Sequence, residues 1–196
     1  MAVKFQYNKT SLHALGKQLK IRIGALPILK NKESALRVEV INQKQEVKNL
    51  AAELAALKPI EEKFLPLIGR FLTRQLNIEN LEVSRKKIAG VTIPIFNGLT
   101  IKLKDILWHE APHWYPDVLN FLEDKAIKTV RFEVAKRQLE ILENERKKTT
   151  QKVNLYEKVQ IPDLEDAIKK IKRFLEDEQN LSKAAQKMVK ARKMQA

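Results

Sequence analysis

The sequence predicts a mainly α protein, a long antiparallel two-helix coiled coil with a small central β-hairpin. Three observations carry this prediction: a heptad pattern in the first third, β-branched alternation in the middle, and helical periodicity from Asp117 to the C-terminus. Neither helical arm can bury a narrow apolar stripe alone, so the arms are expected to fold back on each other. We expect a single elongated domain, with arms at residues 1–78 and 117–196 and the hairpin and connector at 79–116.

The first arm contains fourteen successive positions at alternating spacings of three and four, from Leu12 to Leu57. Eleven of them are aliphatic, and only Arg22, Glu33 and Gln43 are not. A heptad of this length predicts one helix covered by another, and from residue 10 to 58 it would run for about 70 Å. Beyond Leu12 and Leu15, the aliphatic seam residues of this arm are Leu19, Leu26, Leu29, Leu36, Val40, Val47, Leu50, Leu54 and Leu57.

Capping residues and prolines set the expected limits of this helix. Asn8, Thr10 or Ser11 can cap its first N–H groups. Pro27 is expected to bend the helix rather than end it, because the seam continues in phase beyond it. Pro59 and Pro66 interrupt the next stretch, in which residues 64–76 are predicted to form a second helical piece.

The middle of the chain predicts a β-hairpin that turns at Asn97-Gly98. Residues 88–96 and 99–103 alternate in the manner of strands on either side of this dipeptide, which is the strongest short hairpin signal. Pro94 indicates that its strand has an unpaired edge. Exposed apolar residues on a small ribbon often form an interface. Contacts with a partner are therefore expected from Val91, Ile93, Pro94, Trp108 and Trp114. For the two tryptophans, an equally favoured interpretation is that they fill the joint between the hairpin and the helices.

The second arm carries a second apolar seam late in the sequence. It begins at Leu164, after Pro162, which either starts a fresh helix or kinks a continuous one. The seam residues expected to pair with the first arm are Ile171, Phe174, Leu181 and Met188.

Charge is strongly positive: 38 Lys and Arg oppose 24 Asp and Glu, for a net charge of +14. Such a balance indicates a solvated lysine-rich surface or an acidic partner, namely nucleic acid, a membrane surface or an acidic protein socket. The chain has no cysteine and no apolar run of about 18 residues, so we expect a cytoplasmic protein without direct membrane insertion. Residues 179–196 carry no acidic residue and five basic ones, Lys183, Lys187, Lys190, Arg192 and Lys193.

The sequence gives little support for an enzymatic function. Residues 109–113 read H-E-A-P-H, which matches the H-E-x-x-H spacing of zinc proteases. Pro112 disfavours the helical turn that would place both imidazoles on one face, and the remaining histidine, His13, lies in the other arm. A solvent-facing connector is the favoured interpretation. No glycine-rich phosphate loop is present either, so no catalytic, cofactor or metal residue is expected.

The sequence contains characteristic motifs at residues 19–36, 89–94 and 152–162. Together they resemble the D subunit of the V-type and A-type rotary ATPases. Leu19-Lys20 and Arg22, followed by I-L-K-N-K-E-S-A-L at residues 28–36, resemble the N-terminal signature of that family, L-L-K-x-K-R-D-A-L. Residues 152–162, K-V-N-L-Y-E-K-V-Q-I-P, resemble its R-R-V-N-A-L-E-x-V-x-I-P, and residues 89–94 are similar to its G-V-x-V-P strand. Ala25, Pro27 and Glu33-Ser34 depart from the family pattern.

The resemblance implies a non-catalytic central-stalk rotor protein, which couples ATP hydrolysis or synthesis to ion transport across the membrane. Its implied partners are the catalytic A and non-catalytic B subunits of the hexamer, the small F subunit of the central stalk and a ring-adapter subunit. The protein would be peripheral to the membrane through this complex, and the basic residues of the C-terminal end would face the hexamer walls. The alternative is a free-standing basic coiled-coil adaptor that binds nucleic acid.

Overall fold

The computed structural model describes residues 5–68, 76–103 and 112–195. In chain order, helix α1 is Lys9–Ile68, strands β1 and β2 are Leu76–Ile88 and Val91–Leu103, helix α2 is Tyr115–Leu155, and helix α3 is Ile161–Gln195. A single π-helical turn, Tyr156–Gln160, joins α2 to α3. The prediction of a mainly α chain with a long helix pair and a central hairpin is therefore confirmed.

Helix α1 begins where the sequence predicts, but it ends later. The Ser11 N–H donates a hydrogen bond of 2.6 Å to Oδ1 of Asn8, so Asn8 is the N-terminal cap. The helix continues through Pro27, Pro59 and Pro66 to Ile68. The prediction of a separate helical piece at residues 64–76 is wrong: its first part belongs to α1, residues 69–75 lie outside the described residues, and β1 begins at Leu76.

The hairpin turns at Ala89-Gly90, not at Asn97-Gly98. Ile88 pairs with Val91, and the two residues between them have positive φ angles of 48° and 79°. Such angles belong to the tight turns that match the twist of a hairpin. Asn97 instead forms a β-bulge, because Glu82 pairs with Gly98 and Val83 pairs with Phe96. An Asn-Gly pair suits a bulge as well as a turn. In the observed arrangement Val91 and Ile93, which follow the turn, are buried.

Pro162 sits just after a change in helix type. The Ile161 N–H donates to the carbonyl of Tyr156, five residues earlier, whereas an α-helix would use the residue four earlier. Pro162 has no N–H and its ring would clash with a carbonyl in the preceding α-turn. The wider π turn relieves this clash, so that the second arm continues as α3 without a loop.

The described residues form two compact units. The first combines Met1–Glu33 with Lys148–Ala196, and the second is Ser34–Lys147. The expectation of a single elongated domain remains a prediction. In the first unit the start of α1 packs antiparallel on α3, where Leu15 meets Leu164, Ala167 and Ile171.

The described residues of the second unit include two apolar clusters. In one, Leu36 and Val40 of α1, Val91 and Ile93 of β2, and Leu142 of α2 are buried together. The ribbon therefore lies against both helices near its turn. The other cluster joins the end of α1 to the start of α2, around Tyr115, Val118 and Leu119 with Phe64 and Leu67 packed against them.

Candidate functional site

The seam of α1 is covered along its whole length. All fourteen heptad positions between Leu12 and Leu57 are buried or half-buried, while most of the residues between them are exposed. The most deeply buried are Leu36, Val40 and Leu50, at 0%, 2% and 3% exposure. Burial of aliphatic side chains at this spacing is the main stabilising term for such a helix pair.

The three polar seam residues each bind the opposite arm. In the first unit, Nε of Arg22 donates to Oε1 of Gln160 at 2.7 Å, and Oγ1 of Thr150 donates to Oε1 of Glu33 at 3.3 Å. In the second unit, Nε2 of Gln43 donates to the carbonyl of Ala135 at 3.4 Å. Polar groups at seam positions fix the register of a coiled coil. The sequence pattern marked these residues as exceptions but did not reveal their partners.

Ion pairs beside the seam also join the helices. Nζ of Lys30 lies 2.7 Å from Oε1 of Glu157 in the first unit. In the second unit, Nζ of Lys44 lies 2.7 Å from Oε1 of Glu143, and Lys125 is paired with Glu61. The hydrogen bond from Lys44 lowers the pKa of Glu143, against the opposing effect of partial burial.

The predicted seam of the second arm is only partly buried. Ile171 is fully buried, but Phe174, Leu181 and Met188 are 46%, 72% and 61% exposed. Phe174 contacts the ring of Tyr7, with ring centroids 4.9 Å apart. The expected burial of these three side chains by the first arm is not observed, because α1 begins at Lys9 and its start already packs at the level of Ile171.

The C-terminal part of α3, which carries the five basic residues, is exposed to solvent in the described structure. Every residue from 176 to 194 is exposed, including the predicted contact residues Lys183, Lys187, Lys190, Arg192 and Lys193. Exposed apolar side chains lie among them, with Val189 at 54% and Met194 at 89% exposure. This combination of a cationic surface and uncovered apolar residues is typical of a segment that meets another molecule.

The predicted docking residues of the hairpin region divide into two groups. Val91 and Ile93 are 6% and 3% exposed within the core of the second unit, so the prediction that they contact a partner is wrong. The alternation of a strand shows which residues share a face but not which face is covered. Pro94 and Trp114 are half-buried, and Trp108 lies outside the described residues.

A groove of about 350 Å³ in the second unit was missed by sequence reasoning. Four of its residues, Ile127, Arg131, Val134 and Gln138, are spaced by four, three and four along α2, which is a helical face that the irregular pattern there concealed. The other residues that line it are Glu46, Ile95, Phe96 and Ala135.

The H-E-A-P-H motif lies mostly outside the described residues, which include Pro112 and His113 but neither His109 nor Glu110. Pro112 to Trp114 form a turn ahead of α2, with the Tyr115 N–H bonded to the carbonyl of Pro112 at 3.0 Å. Among the described residues, no group of His, Asp or Glu has the arrangement of a metal site. Within the same residues, no helix is long and apolar enough to cross a membrane.

Comparison with known proteins identifies the family. The family model for the D subunit of ATP synthase matches residues 11–191. The chain belongs to the ATP synthase D-subunit family. A V-type ATP synthase D subunit of Chlamydia pneumoniae is 31% identical over 183 residues, which cover 90% of this chain and 87% of that protein.

Two further relatives of the same family match at similar levels. The V-type ATP synthase D subunit of Borreliella burgdorferi is 29% identical over 96% of this chain and 94% of its own length. That of Chlamydia caviae is 32% identical over 78% of this chain and 76% of its own length. Membership of this family supports a stalk protein of a rotary ATPase, and a protein of this kind works within a complex.

Proposed function

We propose that this chain is the non-catalytic central rotor shaft of a V-type ATPase or ATP synthase. In this role it couples ATP hydrolysis or synthesis at the A/B hexamer to ion transport across the membrane. The observation that carries the proposal, beside family membership, is α1. This helix continues for 60 residues with its seam covered throughout, a length that suits a connection between distant parts of a complex.

The contacts between the arms suit the transmission of torque. A seam of aliphatic residues alone resists separation of two helices more than it resists sliding, because apolar contacts have little directionality. The hydrogen bonds of Arg22, Glu33 and Gln43 are directional and cross between the arms within each unit. They oppose a change of register when one arm is pulled along the other.

The basic part of α3 is proposed to face the walls of the hexamer. A rotating shaft needs attraction that varies little with angle, since deep complementarity in one orientation would become a trap in the next. Exposed lysines acting on acidic walls give such attraction, which salt screens over about 8 Å at physiological ionic strength. The chain itself would be peripheral to the membrane and would reach it through the ring-adapter subunit.

The small F subunit of the stalk is proposed to bind the second unit. Pro94 and Trp114 keep part of their surface free, and the groove lined by Phe96, Ile127 and Arg131 lies in the same unit. Grooves that combine apolar side chains with a few charged ones are typical sites for a partner's side chains.

Affinity purification from native cells tests the proposal directly. A tagged chain should retain the two nucleotide-binding subunits, the small stalk protein and the ring adapter, and the recovered complex should hydrolyse ATP. Recovery of the chain alone, or with unrelated proteins, would contradict the rotor assignment.

The exposed basic helix also supports the second candidate, a nucleic-acid-binding adaptor. Such binding would weaken steeply with salt, with a log–log slope of about −0.9 for each phosphate neutralised. The described residues of this helix, 176–194, include no aromatic residue for base stacking, which favours the rotor. Titration with duplex DNA and with single-stranded RNA at two salt concentrations distinguishes the two functions.

A further inference from the structure

The two outer edges of the hairpin differ. On β2, Pro94 has no N–H to offer, and its carbonyl accepts a hydrogen bond from Nε2 of Gln138 on α2. This edge is therefore closed at that point by proline and by a neighbouring helix. On β1 there is no proline, and every residue from 78 to 87 is exposed. An exposed strand edge presents a row of unpaired backbone groups and is a template for another strand.

Pro94 also determines which groups of β1 point outward. Antiparallel pairs alternate between hydrogen-bonded and non-hydrogen-bonded types. Since Pro94 cannot donate, its pair with Arg85 is of the second type, which directs the Arg85 N–H away from β2. By alternation the N–H groups of Val83 and Lys87 point the same way, whereas those of Ser84 and Lys86 point toward β2.

The same strand carries an uncovered apolar face. Ile78, Leu81 and Val83 are 63%, 44% and 42% exposed. Their cross-strand neighbours are Ile101, Leu99 and Phe96, and residues that are directly paired share a face. These side chains are unevenly spaced along each strand. The extra residues at the register shifts, Glu79 and Asn97, compensate for this spacing, so that all six side chains lie on the same face. This face is opposite to the one that buries Val91 and Ile93.

Charge along β1 is asymmetric. Arg85, Lys86 and Lys87 lie in succession next to the turn and are all exposed. Toward the other end of the strand, Glu79 is already paired with Lys102. The end next to the turn is therefore the strongly charged one, and a strand placed along β1 gains most by carrying acidic residues there.

We propose that the free edge of β1, from Ile78 to Lys87, binds an extended segment of another protein of the rotary complex as a third strand. The segment has apolar residues at alternate positions and acidic residues opposite Arg85 to Lys87. Only an extended backbone satisfies a row of alternating N–H and C=O groups, which is the reason for choosing a strand over a helix. The inference rests on the proposed function, because it takes its partner from the stalk complex.

Residue-resolved hydrogen exchange, measured on the purified complex and on the isolated chain, tests the proposal. In the isolated chain, the amides of Ser84 and Lys86 should exchange slowly and those of Val83, Arg85 and Lys87 quickly. In the complex, the second group should slow at least tenfold. A partner that docks only through side chains would leave this group unchanged, and that result would overturn the proposal while leaving the rotor assignment intact.

A pair of variants gives an independent check. Val83→Pro removes an outward N–H without removing a bond to β2, whereas Val83→Thr keeps the N–H and the β-branched shape. Retention of the strand's partner should fall at least tenfold in the first variant and less than threefold in the second, with unchanged exchange at Ser84 showing that the hairpin is intact. Equal retention by both variants would overturn the proposal. Slow exchange of the outward amides in the isolated chain, together with a solution mass twice that of one chain, would also overturn the proposal. A second copy of the chain would then occupy the edge.

Discussion

Leu36 is completely buried where α1, α2 and the hairpin meet, and two residues further along the same helix Val38 is 58% exposed. Leu36→Ala should lower the free energy of unfolding by about 2–4 kcal/mol, because it removes apolar contacts and leaves a cavity. Val38→Ala is the matched control and should change it by less than about 0.5 kcal/mol. Chemical denaturation followed by circular dichroism measures both, and equal effects would contradict the observed packing.

The Lys44–Glu143 pair predicts a modest dependence of stability on pH. Because the folded state lowers the pKa of Glu143, the pair stabilises the protein above the carboxylate's unfolded pKa, near 4.5, and this contribution is lost as pH falls through the folded pKa. Both side chains are partly exposed, so the contribution is less than about 1 kcal/mol. Lys44→Gln should therefore be slightly destabilised at pH 7, and its difference from the unmodified protein should shrink as the pH falls through the lowered pKa of Glu143. A difference that grows on acidification would contradict this account.

Single residues of the seam were predictable from the sequence, but their partners were not. The heptad pattern is local, so it marked Leu15, Leu36 and Leu50 without reference to the rest of the chain. Gln43 was visible in the same pattern only as a polar exception. Its hydrogen bond to Ala135 joins residues 92 positions apart, so a local pattern could not predict it.

At the scale of elements, two glycines have opposite roles. Gly90 adopts a φ of 79° in the turn between β1 and β2, a conformation that alanine reaches only with strain. Gly24 is inside α1, and a Cβ built there meets nothing within 4 Å. Gly90→Ala should destabilise the protein by about 1 kcal/mol or more, whereas Gly24→Ala should stabilise it by up to about 1 kcal/mol. Thermal unfolding of the two variants checks the signs, and effects of the same sign would argue against the observed turn.

The hairpin and the second arm show where element prediction fails. The Asn-Gly signal predicted a turn inside β2 rather than at Ala89-Gly90, because the same dipeptide also suits a bulge. The π turn at Tyr156–Gln160 leaves the helix unbroken, so periodicity alone could not separate a kink from a fresh helix at Pro162.

At the scale of the whole molecule, we expect the net charge of +14 to affect assembly mainly where basic side chains are exposed and not paired with acidic ones. Any one change among Lys183, Lys187 and Lys190 to alanine should be nearly silent, since an exposed charge contributes about 0–1 kcal/mol. Reversal of all five basic residues of the segment to glutamate should weaken assembly and ATP turnover at low salt, and the defect should diminish as ionic strength rises.

The control for this experiment reverses the same number of charges elsewhere. The five exposed lysines suited to it are Lys48, Lys58, Lys63, Lys147 and Lys152. Because the net charge changes equally in both proteins, a defect limited to the C-terminal set assigns the effect to position. If the protein with the five reversed C-terminal residues assembles and hydrolyses ATP normally at low salt, the segment only aids solubility.

The sequence by itself determined the helical class, the seam of α1, the start of α1 near Asn8 and the family, because each depends on local spacing or on short motifs. The tertiary structure decided which apolar side chains are covered. Val91 and Ile93 entered the core although they were expected at an interface, while Leu181 and Met188 remained exposed although they continue a seam. The physical reason is that periodicity describes one surface, whereas burial requires a second surface to meet it. The position of that surface follows from the turn at Ala89-Gly90 and from where α1 begins.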